Sequence, residues 1–251
     1  MAVRSLTTAS RAPTPQPKAA LATAVSLLLM AILAPIAQFG VLKTLIVPAD
    51  AAATTSNIAA SLGLFQAAIA AFLIVAILDV LVAWGFYVLL RSVNEGLARL
   101  VGTLRVVYAA LFAIAVLNLV DAAGLVQGAT GAALQSRSLQ TEVAASLAAF
   151  DAAWRIALGI FGLHLAGLGV LLLRFSAPRL LAALVVLAGS GYLVDSIRTI
   201  VGGDTALTIS TFTFIGEALL IVWLFWRAAR GPRPSATAVG PSGRASAATA
   251  S

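Results

Sequence analysis

Six long apolar stretches constrain this chain more than any motif in it. They run over residues 21–46, 64–90, 100–120, 152–173, 180–197 and 209–226. Each has roughly the 17–25 residues that an α-helix needs to cross the ~30 Å hydrocarbon layer of a bilayer. The runs are continuous and lack apolar/polar alternation, so they predict helices rather than the strands of a barrel. The sequence is 61% hydrophobic and 10% charged, with a mean hydropathy of +1.03. A water-soluble domain could not cover that much apolar surface. The expected fold is therefore all-α: a polytopic membrane bundle of six transmembrane helices over residues 19–228. Disordered arms are expected at 1–18 and 229–251, where Ser, Thr, Pro and Ala dominate.

The basic residues sit at alternate ends of the stretches. Arg4, Arg11, Lys18, Arg91, Arg99, Arg105, Arg174, Arg179, Arg227, Arg230, Arg233 and Arg244 fall on one side, and Lys43, Arg137, Arg155 and Arg198 on the other. Positive charge stays cytoplasmic, so both termini are expected inside a cell inner membrane. The net charge of +7 is thereby explained as a topology determinant attracted to anionic lipid, and needs no nucleic acid. Trp84, Tyr87, Tyr108, Trp223 and Trp226 fall toward the cytoplasmic span ends, and Trp154 and Tyr192 toward the external ones, as in an interfacial aromatic belt. The first stretch is too long for a signal-peptide core and is read as retained, kinked at Pro35 rather than ended there.

Short hairpins near Arg91–Gly96 and Arg174–Pro178 require antiparallel neighbours. Longer external loops are expected over 43–63 and 121–151, the second holding an amphipathic helix over 138–150, and Gly202-Gly203-Asp204 is read as a turn. Glycines in the fourth stretch (Gly159, Gly162, Gly167, Gly169) and the fifth (Gly189, Gly191) predict close helix packing. Echoes such as Leu89-Leu90-Arg91 and Leu172-Leu173-Arg174 differ in spacing and are read as coincidence.

Ionisable groups inside spans are the best functional candidates, because lipid tolerates them poorly. Asp79, His164 and Glu217 lie at similar depth, about 15–18 Å of helix from the nearest basic span end. Convergent, they form an intramembrane polar site able to relay a proton or hold a cation; apart, each is a packing anchor. A second group lies near the external ends: Asn118, Asp121, Asp151, Arg155, Asp195 and Arg198. It is read as interfacial ion pairs, Asp151 with Arg155 and Asp195 with Arg198, or as the mouth of a cavity floored by the trio. Cysteine is absent, which excludes disulfides and thiolate chemistry. No P-loop, GxSxG, GxGxxG or paired-His motif occurs, so no catalytic residues, cofactor or metal are assigned.

Several runs resemble a bacterial membrane family of domain-of-unknown-function type, number 4386. They are Leu78-Asp79-Val80-Leu81, Tyr87 through Asn94, Arg105-Val106-Val107-Tyr108, Phe161-Gly162-Leu163-His164, Gly189 through Ser196 and Gly216-Glu217-Ala218. The resemblance spans about residues 20–230 and implies a six-span inner-membrane protein, without an activity. It places Asp79, Arg105, His164, Asp195 and Glu217 in the family's patches, which favours a shared site. The leading expectation is a small transporter or proton/cation-linked permeation protein. The alternatives are a non-catalytic subunit or lipid-interacting scaffold, and an intramembrane lipid-modifying enzyme. Membrane lipids are the expected partners, with a homo-oligomer or another membrane protein as further candidates.

Overall fold

The computed structural model describes residues 16–175, 177–202 and 215–230. Among these, every regular element is helical. In chain order they are α1 (Gln16–Pro35), a π-helical segment (Ile36–Leu42), α2 (Lys43–Leu45), α3 (Ala51–Ala60), α4 (Leu62–Leu90), α5 (Glu95–Gln127), a 3-10 turn (Gly131–Ala133), α6 (Arg137–Arg174), α7 (Arg179–Ile200) and α8 (Ile215–Ala229).

Among the described residues, five helical segments are long and apolar enough to cross a membrane: Pro17–Leu45, Leu62–Leu90, Glu95–Gln127, Arg137–Arg174 and Arg179–Ile200. The expected sixth crossing is not among them. The sixth stretch, 209–226, begins outside the described residues, and its described part, α8, is 15 residues long. Residues 1–15 of the expected N-terminal arm, 231–251 of the tail, Ser176, and Gly203 and Asp204 also lie outside them. Residues 16–18 of that arm are already helical.

The bundle is apolar on its perimeter as well as in its interior. Ile77, Ile114, Leu117, Leu180 and Val222 stand exposed on its perimeter, as lipid-facing side chains do. Its interior is tightly filled, with Phe65, Phe72, Phe86 and Phe112 among the fully buried side chains.

Local chemistry sets the helix ends. Asp50 Oδ1 accepts from Ala53 N at 2.8 Å, Asn94 Oδ1 from Leu97 N at 2.9 Å and Ser136 Oγ from Leu139 N at 3.4 Å, each satisfying an otherwise orphaned first-turn donor. Pro35 lacks an N–H and crowds the carbonyl four residues before it. The chain answers by widening into the π-helical turns Ile36–Leu42, so the helix continues as expected.

Two expected loops are corrected. Residues 43–63 contain α3. Most of 121–151 is helix: α5 runs on to Gln127, and the amphipathic segment 138–150 is the first part of α6. At 1.5 Å per residue α6 is about 57 Å long, well beyond a bilayer core. Its polar extension stays helical because α3 and α5 pack against it.

The glycine seam is present. A Cβ on Gly162 would lie 2.6 Å from Gly189 O, and one on Gly189 2.5 Å from Gly162 O. On α8, a Cβ on Gly216 would lie 2.6 Å from Leu184 O. Hydrogen in place of a side chain lets α6, α7 and α8 approach almost backbone to backbone.

Candidate functional site

Asp79 on α4 and His164 on α6 are brought together by a residue assigned to topology in the sequence, Arg105 on α5. Asp79 and His164 are 0% exposed and Arg105 is 2% exposed. Arg105 Nη2 lies 2.6 Å from Asp79 Oδ1, and Arg105 Nη1 lies 3.1 Å from His164 Nε2. Arg105 is therefore removed from the cytoplasmic set of basic residues. The signal was its place inside the apolar run 100–120, ten residues beyond the start of α5.

The hydrogen bonds assign the histidine's tautomer. A guanidinium only donates, so Nε2 accepts. His164 Nδ1 then carries the hydrogen and donates to Val101 O at 2.9 Å. The ring is a neutral imidazole with both nitrogens engaged. It orients Arg105, and has no free lone pair for a metal.

The pairing of Asp79 is electrostatic more than directional. Although Oδ1 is close to Arg105, neither carboxylate oxygen nor Arg105 Nε has a partner of hydrogen-bond geometry among the described residues. Asp79 Oδ2 and Arg105 Nε thus carry a desolvation cost of about 1–3 kcal/mol each, while Oδ1 is compensated by the guanidinium beside it.

Aromatic side chains enclose the pair. The Arg105 guanidinium lies 5.2 Å from the Phe161 ring centre, and Phe161 packs on Tyr108 at 4.8 Å and Tyr192 at 5.3 Å. Trp154 Nε1 donates to Tyr108 Oη at 3.3 Å. Tyr108 and Trp223 are buried and Trp154 is half-buried, so all three leave the expected interfacial belt for the interior. Trp84 and Trp226 remain exposed, as belt residues should.

Glu217, the third member of the trio, is half-buried on α8 and accepts from Tyr192 Oη at 3.0 Å. Asp79, Arg105 and His164 thus form one contact network, and Glu217 is connected to it through Tyr192 and Phe161 rather than by a direct contact.

The external group divides. Asp151 and Arg155 pair at 2.7 Å and Asp195 and Arg198 at 3.9 Å, each on its own helix face as the spacing predicts. Asn118 Nδ2 bonds back to Ala115 O at 3.0 Å, and Asp121 is exposed. Asp151 borders a cavity of about 710 Å³, yet Asp79, His164 and Glu217 are absent from its lining. That cavity accordingly has a different floor from the expected one.

Fold and site together define a polytopic α-helical membrane protein with a buried ion pair at its core. Residues 22–228 match the profile of DUF4386, described as a domain of unknown function, and the chain belongs to that family. It is similar to an uncharacterized protein of Archaeoglobus fulgidus, 33% identical over 154 residues, which cover 61% of this chain and 78% of the relative. No solved structure matches the chain.

Proposed function

We propose that this is a proton- or cation-linked permeation protein in which Asp79 and Glu217 hold the ion and Arg105 is the movable countercharge. The observation that supports this reading is the unpartnered Asp79 Oδ2, fully buried beside Arg105 and offering lone pairs with no donor among the described residues. Neutralising Asp79 removes the attraction that holds Arg105 on α4. Glu217 then offers the alternative carboxylate, and His164 keeps the guanidinium in reach of both. Two arrangements of one cation between two acids supply the bistable element that transport needs. In this reading both termini face the cytoplasm, and the ion crosses an inner membrane.

The test is proton or cation flux in liposomes containing the purified chain. Asp79→Asn and Glu217→Gln are each expected to lower flux at least tenfold, while Arg99→Ala, on the exposed Glu95–Arg99 pair, leaves it unchanged. Flux indifferent to both acidic substitutions would contradict the proposal. The complete enclosure of the ion pair favours a second reading, a non-catalytic scaffold with Asp79–Arg105–His164 as its internal clamp. That reading requires no flux, and a partner that co-purifies.

A further inference from the structure

We infer that the cavity between the π-helical end of the first span and the extension of α6 is a binding site for a zwitterionic phospholipid carrying a primary amine. This site shares no lining residue with the ion pair and stands or falls independently of the permeation reading. Its volume of about 710 Å³ falls in the range of specific small-molecule pockets. Leu42, Ile46, Leu147 and Phe150 form apolar walls suited to an acyl chain. Polar groups of both signs, Lys43, Asp50 and Asp151, border the same space.

Three observations choose the occupant. Gln38 lines the cavity, and its Oε1 is buried with no hydrogen-bond partner among the described residues, which calls for a donor from a ligand. Lys43 is exposed and supplies the cation that a phosphate needs, while Asp50 and Asp151, each with one oxygen already engaged by Ala53 N or Arg155, keep their other oxygen as an acceptor for an ammonium. An anionic glycerol lipid would satisfy Lys43 and could donate a hydroxyl to Gln38, but brings no cation to Asp50 and Asp151. A choline headgroup would satisfy the charges but has no N–H for Gln38. An ethanolamine lipid matches all of them, its phosphate facing Lys43 and its ammonium donating to Gln38, Asp50 and Asp151.

The backbone around the cavity is irregular where it meets these side chains. Gln38 lies within the π-helical turns, where the widened helix departs from the regular carbonyl register. Ala49, also in the lining, adopts φ +62°, a conformation that costs a residue with a Cβ roughly 1–2 kcal/mol. Strained and irregular backbone of this kind clusters at ligand sites.

The full chain is purified in mild detergent with equimolar ethanolamine, choline and glycerol phospholipids of identical acyl chains, and retained lipid is counted by native mass spectrometry. The ethanolamine lipid is expected to be enriched about tenfold over the glycerol lipid, and several-fold over the choline lipid, since each well-made charged contact is worth about a factor of ten. Lys43→Ala and Gln38→Leu should each reduce that enrichment. Lys43 is exposed, so its variant keeps the fold and remains informative if Gln38→Leu does not. Equal retention of the three lipids, a preference for the glycerol lipid, no retained lipid, or an ethanolamine preference that survives both substitutions would overturn the inference.

Discussion

Arg105→Met tests the interior of the bundle most severely. Methionine keeps much of the apolar stem and removes the charge, leaving Asp79 fully buried without its counter-ion. Breaking a buried pair by removing one partner typically costs about 3–5 kcal/mol. The lost hydrogen bond to His164 adds about 0.6 kcal/mol, the average for polar contacts in membrane bundles. The charge effect therefore dominates, and a destabilisation of about 4–5 kcal/mol is expected. The double variant Asp79→Leu/Arg105→Met removes both charges and should recover all but about 1–1.5 kcal/mol. SDS titration of the purified chain in mixed micelles, followed by circular dichroism, measures all the corners of the cycle. Single substitutions that each cost under about 1 kcal/mol and simply add in the double would refute the buried pair.

The other expectations use the same bundle. Gly162→Ala places a Cβ against Gly189 O at 2.6 Å and should destabilise by about 1–3 kcal/mol, whereas Gly124→Ala, with open space around its Cβ, should be neutral or stabilise by up to about 1 kcal/mol; the same SDS titration compares them. Ala49→Gly relieves the positive φ and should stabilise by about 1 kcal/mol, read as a shift in the unfolding midpoint. The chain has no cysteine, so single cysteines report topology cleanly. In intact cells an impermeant maleimide is expected to label Ala132→Cys, and to reach Ser92→Cys only after permeabilisation; the reverse pattern would invert the assigned orientation.

Span positions were legible because apolar runs of membrane length have few other uses. Helix ends were not: α5 and α6 extend past their apolar segments because tertiary packing, not lipid, supports those turns, and hydropathy does not register such contacts. The polar site was half legible. Asp79, His164 and Glu217 stood out as ionisable residues without a topological role. Arg105 was absorbed into the positive-inside pattern because it lies only six residues from Arg99, a spacing at which an arginine can reach the interface by extending its side chain. Only the facing of α4 and α6 shows that it turns inward. The aromatic residues misled in the same way: Tyr108, Trp154 and Trp223 sit near span ends along the sequence but face other helices, and one helix's periodicity cannot identify its neighbours. The glycine seam was readable because a residue without a side chain permits close approach whichever helix opposes it.

The central claim is that Arg105 donates to a neutral His164 inside the membrane core. His164 is the chain's single histidine, so selective ¹⁵N-histidine labelling yields one pair of ring signals. Solid-state NMR in bilayers at pH 7 is expected to show one protonated nitrogen, Nδ1, and one unprotonated nitrogen, Nε2, with the Nε2 signal shifting in Arg105→Met. Two protonated nitrogens, or a spectrum unchanged by that substitution, would contradict the account.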